Sequence, residues 1–367
     1  MKTPLFFVIL ESLLFMEIKK KSESRISSVD FNNLPFGAVF SDHMLICNYK
    51  NGNWNTPQIK PYGAIELMPG SQVFHYGQAI FEGMKAFKDP NDDILLFRKH
   101  ENFKRFNQSA ERMSMPKIPE NIFMNGIDTL LNLDNNWLKN TDKHSLYIRP
   151  FLFASGECVK ASSSNEYTFM IITCPSANYY NQSIDMIVEE FYSRAAKGGV
   201  GYAKASGNYA ASFLPTIEAN KKGFTQIIWT DAYEHKYIEE SGTMNIWFLI
   251  KDQLITPSLS DTILAGITRD SMLTIAQDMS INVIERKISV EEICNAAKNN
   301  DLKEAFGTGT AVSVAPISSI TYQNNKIVLP KVQDPISLQL KKKLQDIQRG
   351  RAIDPYSWID KVKEVMV

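Results

Sequence analysis

The chain has 367 residues, enough for two domains of ordinary size, each with a core of its own. It is 44% hydrophobic and 22% charged, a composition that argues against disorder. Forty basic residues balance forty acidic ones, so no net field draws the protein to nucleic acid or an anionic membrane, and the expected partners are small molecules or another copy of the chain.

The chain opens on residues 1–15, one early lysine followed by an apolar run that resembles a weak secretory signal. Glu11 interrupts the run, no small-x-small cleavage site follows, and three lysines come next at 19–21. We expect Met16 to be the natural start and residues 1–15 to be a non-native extension. Residues 93–98, 145–153 and 167–173 read as strands. Between the first two, Phe103, Phe106, Ala110 and Met113 recur at helical spacing, which predicts a helix over 100–113. The polar, proline-containing stretch 174–183 is the best linker candidate. The expected division is therefore a small domain over 16–176, a linker over 177–184 and a larger domain over 185–367.

Beyond the linker, 184–192, 226–230 and 244–250 read as strands. A helix over 215–222 is closed by Gly223 at the C′ position, and another begins near Thr268. Ser289-Val-Glu-Glu292 fits a capping box, and a last helix over 335–349 ends at Gly350. The alternation of strands and helices predicts two α/β domains.

Cys47, Cys158, Cys174 and Cys294 are scattered, and the five histidines show no HxxxH or HxH pairing. This argues against a metal centre and suits a reducing cytoplasm. The chemistry concentrates elsewhere. Gly198-Gly-Val-Gly-Tyr-Ala-Lys-Ala-Ser-Gly-Asn-Tyr-Ala-Ala-Ser212 sets Lys204 among small residues, where a flat ligand can approach the backbone. A partly desolvated lysine there can lose its proton and form a Schiff base with a carbonyl. The alternative is a flexible loop carrying a solvated lysine. Three further stretches bear on the choice: the acidic turn Glu239-Glu-Ser-Gly-Thr-Met-Asn245, the helix start Leu264-Ala-Gly-Ile-Thr-Arg269, and Phe306-Gly-Thr-Gly-Thr-Ala311, which reads as an anion-binding nest. Each alone can be a turn, a cap or a loop. Together with the lysine they describe a ligand with an aldehyde, a ring nitrogen and a phosphate, which is pyridoxal phosphate.

In order and spelling these motifs resemble the branched-chain amino acid aminotransferases, fold-type IV pyridoxal-phosphate enzymes. The resemblance runs from Leu34-Pro-Phe-Gly-Ala-Val-Phe-Ser-Asp-His-Met44 through Phe74-His-Tyr-Gly-Gln-Ala-Ile-Phe-Glu-Gly-Met-Lys-Ala-Phe87, Leu146-Tyr-Ile-Arg-Pro150 and the Lys204 segment to near the C-terminus. It implies a smaller N-terminal and a larger C-terminal α/β domain with the active site between them, and a homodimer or higher homo-oligomer. It also implies Lys204 as Schiff-base lysine and catalytic base, Glu240 on the pyridine nitrogen, and Tyr209 on the phenolic oxygen. Arg105, the Ile267 and Thr268 N–H groups and Thr310 would cradle the phosphate, with Leu264 against the ring. Phe36, Tyr76, Phe81, Tyr147, Tyr179 and Thr243 would surround the substrate. Arg149 would pair with the glutamate γ-carboxylate, and Thr310-Ala311 N–H groups would meet the α-carboxylate.

The activity so implied is ping-pong transfer of the amino group of L-leucine, L-isoleucine or L-valine to 2-oxoglutarate, through the pyridoxamine form. The alternative is another fold-type IV enzyme, a D-amino-acid aminotransferase or an aminodeoxychorismate lyase. Two departures stand out. Ala311-Val-Ser-Val-Ala-Pro316 lacks the redox CxxC that some members carry after this turn, and the 156–161 loop aligns only loosely.

Overall fold

A computed structural model describes residues 16–177 and 182–363; the expected extension over 1–15 and Tyr179 lie outside them. The described chain builds two large sheets. The first runs, in spatial order, through Glu17–Ile18, Gln58–Pro61, His43–Lys50, Tyr167–Ser176, Ser145–Ala154, Met84–Lys88, Ile94–Phe97 and Ile359–Lys361. Its centre is the long antiparallel pair Ser145–Ala154 and Tyr167–Ser176, with Ser145 opposite Ser176 and Ala154 opposite Tyr167.

Side chains alternate between the faces of a strand, and that alternation sorts Ser145–Ala154. Leu146, Ile148 and Leu152 enter the core. Tyr147, Arg149 and Phe151 turn the other way, into a cleft. Helices Lys99–Arg112 and Glu120–Leu133 close the core face, bringing Phe106, Ala110, Phe123 and Ile127 against Leu45, Phe169 and Ile171. Burying an aromatic or aliphatic side chain of this size contributes about 1.5–3 kcal/mol. The expected helix over 100–113 is thus observed within a residue; Glu120–Leu133 is an addition that the sequence reading does not include.

The second sheet runs through Ile238–Ser241, Gln226–Thr230, Ile184–Val188, Ser313–Tyr322, Leu302–Gly309, Asn245–Ile250, Gln253–Thr256 and Asn282–Glu285. Helices cover both faces, which is why Asn245–Ile250 reads as an unbroken apolar run. Ile246 and Phe248 pack with Val290 and Ile293 of helix Val290–Lys298. Trp247 and Leu249 pack with Met272 and Ile275 of helix Ile267–Asp278 and with Leu340 and Leu344 of helix Ile336–Gln348.

The α/β class is as expected, and several local expectations are corrected. The strand expected over 184–192 stops at Val188, because Glu189 turns back to accept the Phe191 and Tyr192 N–H groups. The first residues of the expected linker, through Ser176, extend a strand. Only half of the capping box forms: Ser289 Oγ accepts the Glu292 N–H, but the Glu292 carboxylate holds Arg286. The stretch 306–311 is not a nest. It is the end of strand Leu302–Gly309, which turns through 310–312 into Ser313–Tyr322. Gly223 and Gly350 do follow their helices with positive φ. Ile359–Lys361 pairs with Ile94–Phe97 of the first sheet, so the chain's last described strand returns to the sheet where it began.

Candidate active site

The Lys204 backbone is pinned from two sides. Its N–H donates to Ser109 Oγ at 3.0 Å, and its carbonyl accepts the Phe81 N–H at 3.1 Å. Asn208 Nδ2 ties the preceding loop by donating to the Val200 and Ala203 carbonyls. The glycine-rich segment is therefore a fixed seat for the lysine and not a free loop. Lys204 Nζ donates to the Tyr209 hydroxyl at 3.0 Å and lies 4.7 Å from the centre of the Phe81 ring.

On one side of Lys204 a narrow cavity is lined by Arg105, Glu240, Thr243, Asn245, Leu264, Gly266, Ile267, Thr268, Thr308 and Thr310. Glu240 stands on strand Ile238–Ser241, opposite Trp229, and is almost wholly buried. Oε1 accepts the Leu264 N–H at 2.6 Å, and Oε2 lies 2.9 Å from Arg194 Nε. Burial pushes this carboxyl above the usual range, and the Arg194 guanidinium and the Leu264 N–H oppose that push. Arg194 is itself held by the Thr262 and Gly201 carbonyls.

At the far end of the cavity helix Ile267–Asp278 begins at Gly266 with no side chain capping it. Its first N–H groups thus remain open to an anion, the arrangement that binds phosphate at helix N-termini. A Cβ on Gly266 would overlap Asn245 Oδ1, and Asn245 Nδ2 donates to the Leu264 carbonyl at 2.9 Å. Arg105 reaches the same place from helix Lys99–Arg112. It is bound at Nε and Nη2 by Glu82, at 2.6 and 2.9 Å, and at Nη1 by the Ala265 carbonyl. Burial alone would raise the Glu82 carboxyl, but Arg105 overrides it and holds the group below its ordinary value.

On the other side of Lys204 a wider cleft is lined by Phe36, Phe81, Tyr147, Arg149, Phe151, Tyr209, Thr243 and the turn over 309–312. Arg149 Nη2 donates to the Tyr147 hydroxyl at 3.1 Å, and its guanidinium lies 4.7 Å from the centre of the Phe81 ring. Arg149 Nε is buried without a hydrogen-bond partner among the described residues. Phe36 meets Tyr147 edge-on at 5.1 Å. The result is an apolar slot with a cation at its wall.

The fold therefore gathers Lys204, Tyr209, Glu240, Arg105, Leu264, Ile267, Thr268, Thr310, Ala311, Phe36, Phe81, Tyr147, Arg149 and Thr243 around two adjoining cavities. Tyr76 is the exception. It ends the short helix Gln72–Tyr76, half exposed, with its hydroxyl donating to the Val159 carbonyl, and it does not line the cleft. Four residues that position the site are missing from the sequence reading: Glu82, Arg194, Ser109 and Asn245. Glu82 and Asn245 lie inside quoted motifs; Arg194 and Ser109 carry no local pattern that marks them.

The donor set fits pyridoxal phosphate: an open helix start with Arg105 beside it for the phosphate, a buried carboxylate for the ring nitrogen, and an amine between them. Residues 79–320 match the family described as amino-transferase class IV. A Staphylococcus epidermidis protein named probable branched-chain-amino-acid aminotransferase is 41% identical over 345 residues, 92% of this chain and 96% of its own length. Branched-chain-amino-acid transaminase 1 of Bacillus subtilis is 41% identical over 335 residues, 90% of this chain and 94% of its own. Among solved structures, a branched-chain amino acid aminotransferase of Escherichia coli is similar at a TM-score of 0.71 and 26% identity. That similarity covers 86% of this chain and 99% of the other.

Proposed function

This chain belongs to the class IV amino-transferases, and we propose that it is a branched-chain-amino-acid aminotransferase in which Lys204 is the proton-transferring base. Its cofactor is pyridoxal phosphate, which when bound supplies an electron sink for the substrate Cα and a carrier for the amino group between half-reactions. The observation that carries the reading is the position of Lys204, which lines both the narrow cavity and the aromatic cleft.

The protein's own part follows from the geometry. Ile267 and Thr268 N–H groups, Arg105 and Thr310 would hold the phosphate, and Glu240 would hold the ring nitrogen. Lys204 would take a proton from the substrate Cα and return it to the carbon on the far side of the amino nitrogen, two bonds away, so a single amine serves both transfers and no histidine is required. The Tyr209 hydroxyl orients Nζ between transfers. Phe36, Phe81 and Tyr147 exclude water from around a branched aliphatic side chain. Arg149, with Tyr147 beside it, pairs with the second carboxylate of glutamate in the other half-reaction. The turn at Thr310-Ala311 offers its N–H groups to the α-carboxylate.

We place the working form in the cytoplasm as a homodimer. Phe74, Tyr76 and Val159 are exposed, and the Tyr76 hydroxyl reaches the Val159 carbonyl, which supports a face covered by a second copy. No helix among the described residues is long and apolar enough to cross a membrane.

The test is a panel of L-leucine, L-isoleucine, L-valine and D-alanine against 2-oxoglutarate, with Lys204→Ala alongside. We expect turnover of the three branched L-amino acids and none of D-alanine. The variant should lose the cofactor's bound visible absorbance and about 10²–10⁴-fold or more of the rate. Turnover of D-alanine alone would favour the D-amino-acid alternative, and an active Lys204→Ala enzyme would defeat the assigned base.

A further inference from the structure

A further cavity lies against the turn over 309–312; it shares Ile267, Thr268, Thr310 and Ala311 with the site described above but has neither Lys204 nor Glu240 among its lining residues. Lys85, Lys143, Lys341 and Arg349 line it, and Asp142 is the one carboxylate among the described residues that line it. That carboxylate is mostly exposed and is taken by Arg351. Lys85, on strand Met84–Lys88, donates to the Ala311 carbonyl at 2.8 Å. Arg349 donates to the carbonyls of Thr141, Asp142 and His144, which fix its guanidinium without neutralising it. Burial pushes the Lys85 amine down to about 8, and the neighbouring Arg349 and Lys341 charges add to that push.

A second observation lies at the same wall. Ser313 lines the cavity, on a backbone held at φ 60°, and its buried hydroxyl has no hydrogen-bond partner among the described residues. An orphaned buried hydroxyl is costly, as is a buried cation with no counter-charge such as Arg349, and one ligand satisfies both. An anion does so, with oxygens to accept from Ser313 and the lysines.

We propose that this cavity is an anion site for a small polyvalent oxyanion, the chemistry shared by phosphate and a short dicarboxylate. The site uses neither Lys204 nor Glu240, but it shares Ile267, Thr268 and Thr310 with the phosphate cradle of the proposed function and rests on that reading for its separation from the cradle; binding to cofactor-loaded protein tells the two apart. Its shared wall with Thr310 and Ala311 places the anion directly behind the turn assigned to the substrate α-carboxylate.

The experiment is calorimetric titration of the cofactor-loaded protein with inorganic phosphate and, separately, with malonate, at constant ionic strength. We expect one saturable site per chain for at least one of them, and the arm that binds identifies the source. Lys341→Gln should weaken it roughly tenfold or more, as loss of a charge-assisted contact does. Ser313→Ala, which removes only the orphaned hydroxyl, should weaken it several-fold. Lys342→Gln, at an exposed neighbour that pairs with Asp346, should leave binding unchanged. Absence of saturable binding for both anions overturns the proposal. So does binding that survives in both Lys341→Gln and Ser313→Ala, and so does binding confined to cofactor-free protein, which places the anion at the Ile267 helix start.

Discussion

Arg194 Nε lies 2.9 Å from Glu240 Oε2, with both side chains nearly closed to solvent. The guanidinium opposes the burial that drives the carboxyl upward. A buried pair of this kind is costly to break from one side, because the remaining charge has no partner. Arg194→Met is therefore expected to lower unfolding free energy by about 3–5 kcal/mol and to weaken cofactor binding by protonating Glu240. Denaturant unfolding and a cofactor titration read the two effects, and a variant unchanged in both would show that Glu240 is held by the Leu264 N–H alone.

Arg149 presents its guanidinium to the cleft with Nε unpartnered. A substrate carboxylate is the group that such a buried donor lacks. Arg149→Met should raise KM for 2-oxoglutarate by about tenfold to a hundredfold, the worth of one charge-assisted pair. KM for leucine should change much less, since its side chain has no carboxylate to lose. Equal changes for both substrates would assign Arg149 to the wall of the slot and not to recognition.

Gly266 starts the helix that carries Ile267 and Thr268, and a Cβ there would overlap Asn245 Oδ1. Either Asn245 releases the Leu264 carbonyl or the helix start moves. Gly266→Ala is expected to weaken cofactor affinity while kcat at saturating cofactor recovers most of its value. Cofactor dissociation followed by fluorescence measures the first, and an unchanged dissociation constant would remove the helix start from the phosphate cradle.

Glu82 gives a pH signature. Arg105 holds its carboxyl below the ordinary 4.5, so the folded protein binds fewer protons than the unfolded chain in that window. Stability from this group is then fully present above about 4.5 and is lost as pH falls through the depressed folded value. Unfolding midpoints measured from neutral pH down to about pH 3 should fall steeply in wild type. Glu82→Gln should start lower and show a shallower acid limb. An identical acid limb in both would mean that other carboxylates carry the transition.

How much of this is legible depends on whether a residue acts within its own segment. Lys204 is readable because its small neighbours are contiguous, and Ser109 and Phe81 seat the lysine among them. The stretch 306–311 reads as a nest because a strand made of glycine and threonine has the composition of a loop. The structure packs Gly307 against Met244 with no room for a Cβ, and the strand pairing supplies what the side chains do not. Resemblance assigns Tyr76 to the cleft, whereas within one chain it faces Val159 and solvent.

The sequence by itself determined the chemistry of an amine, a carboxylate and a helix start, each spelled in a short stretch, while the aromatic slot of Phe36, Phe81 and Tyr147 is drawn from three distant segments and was implied only by resemblance. Only the tertiary structure decided which charges are stabilised. Arg194 reaches the strand residue Glu240 from a loop, Glu82 reaches Arg105 from a strand end, and Lys85 crosses from the first sheet to Ala311 beside the second. Charge pairing depends on distance and burial, which a linear order of residues does not contain until packing brings remote strands and helices together.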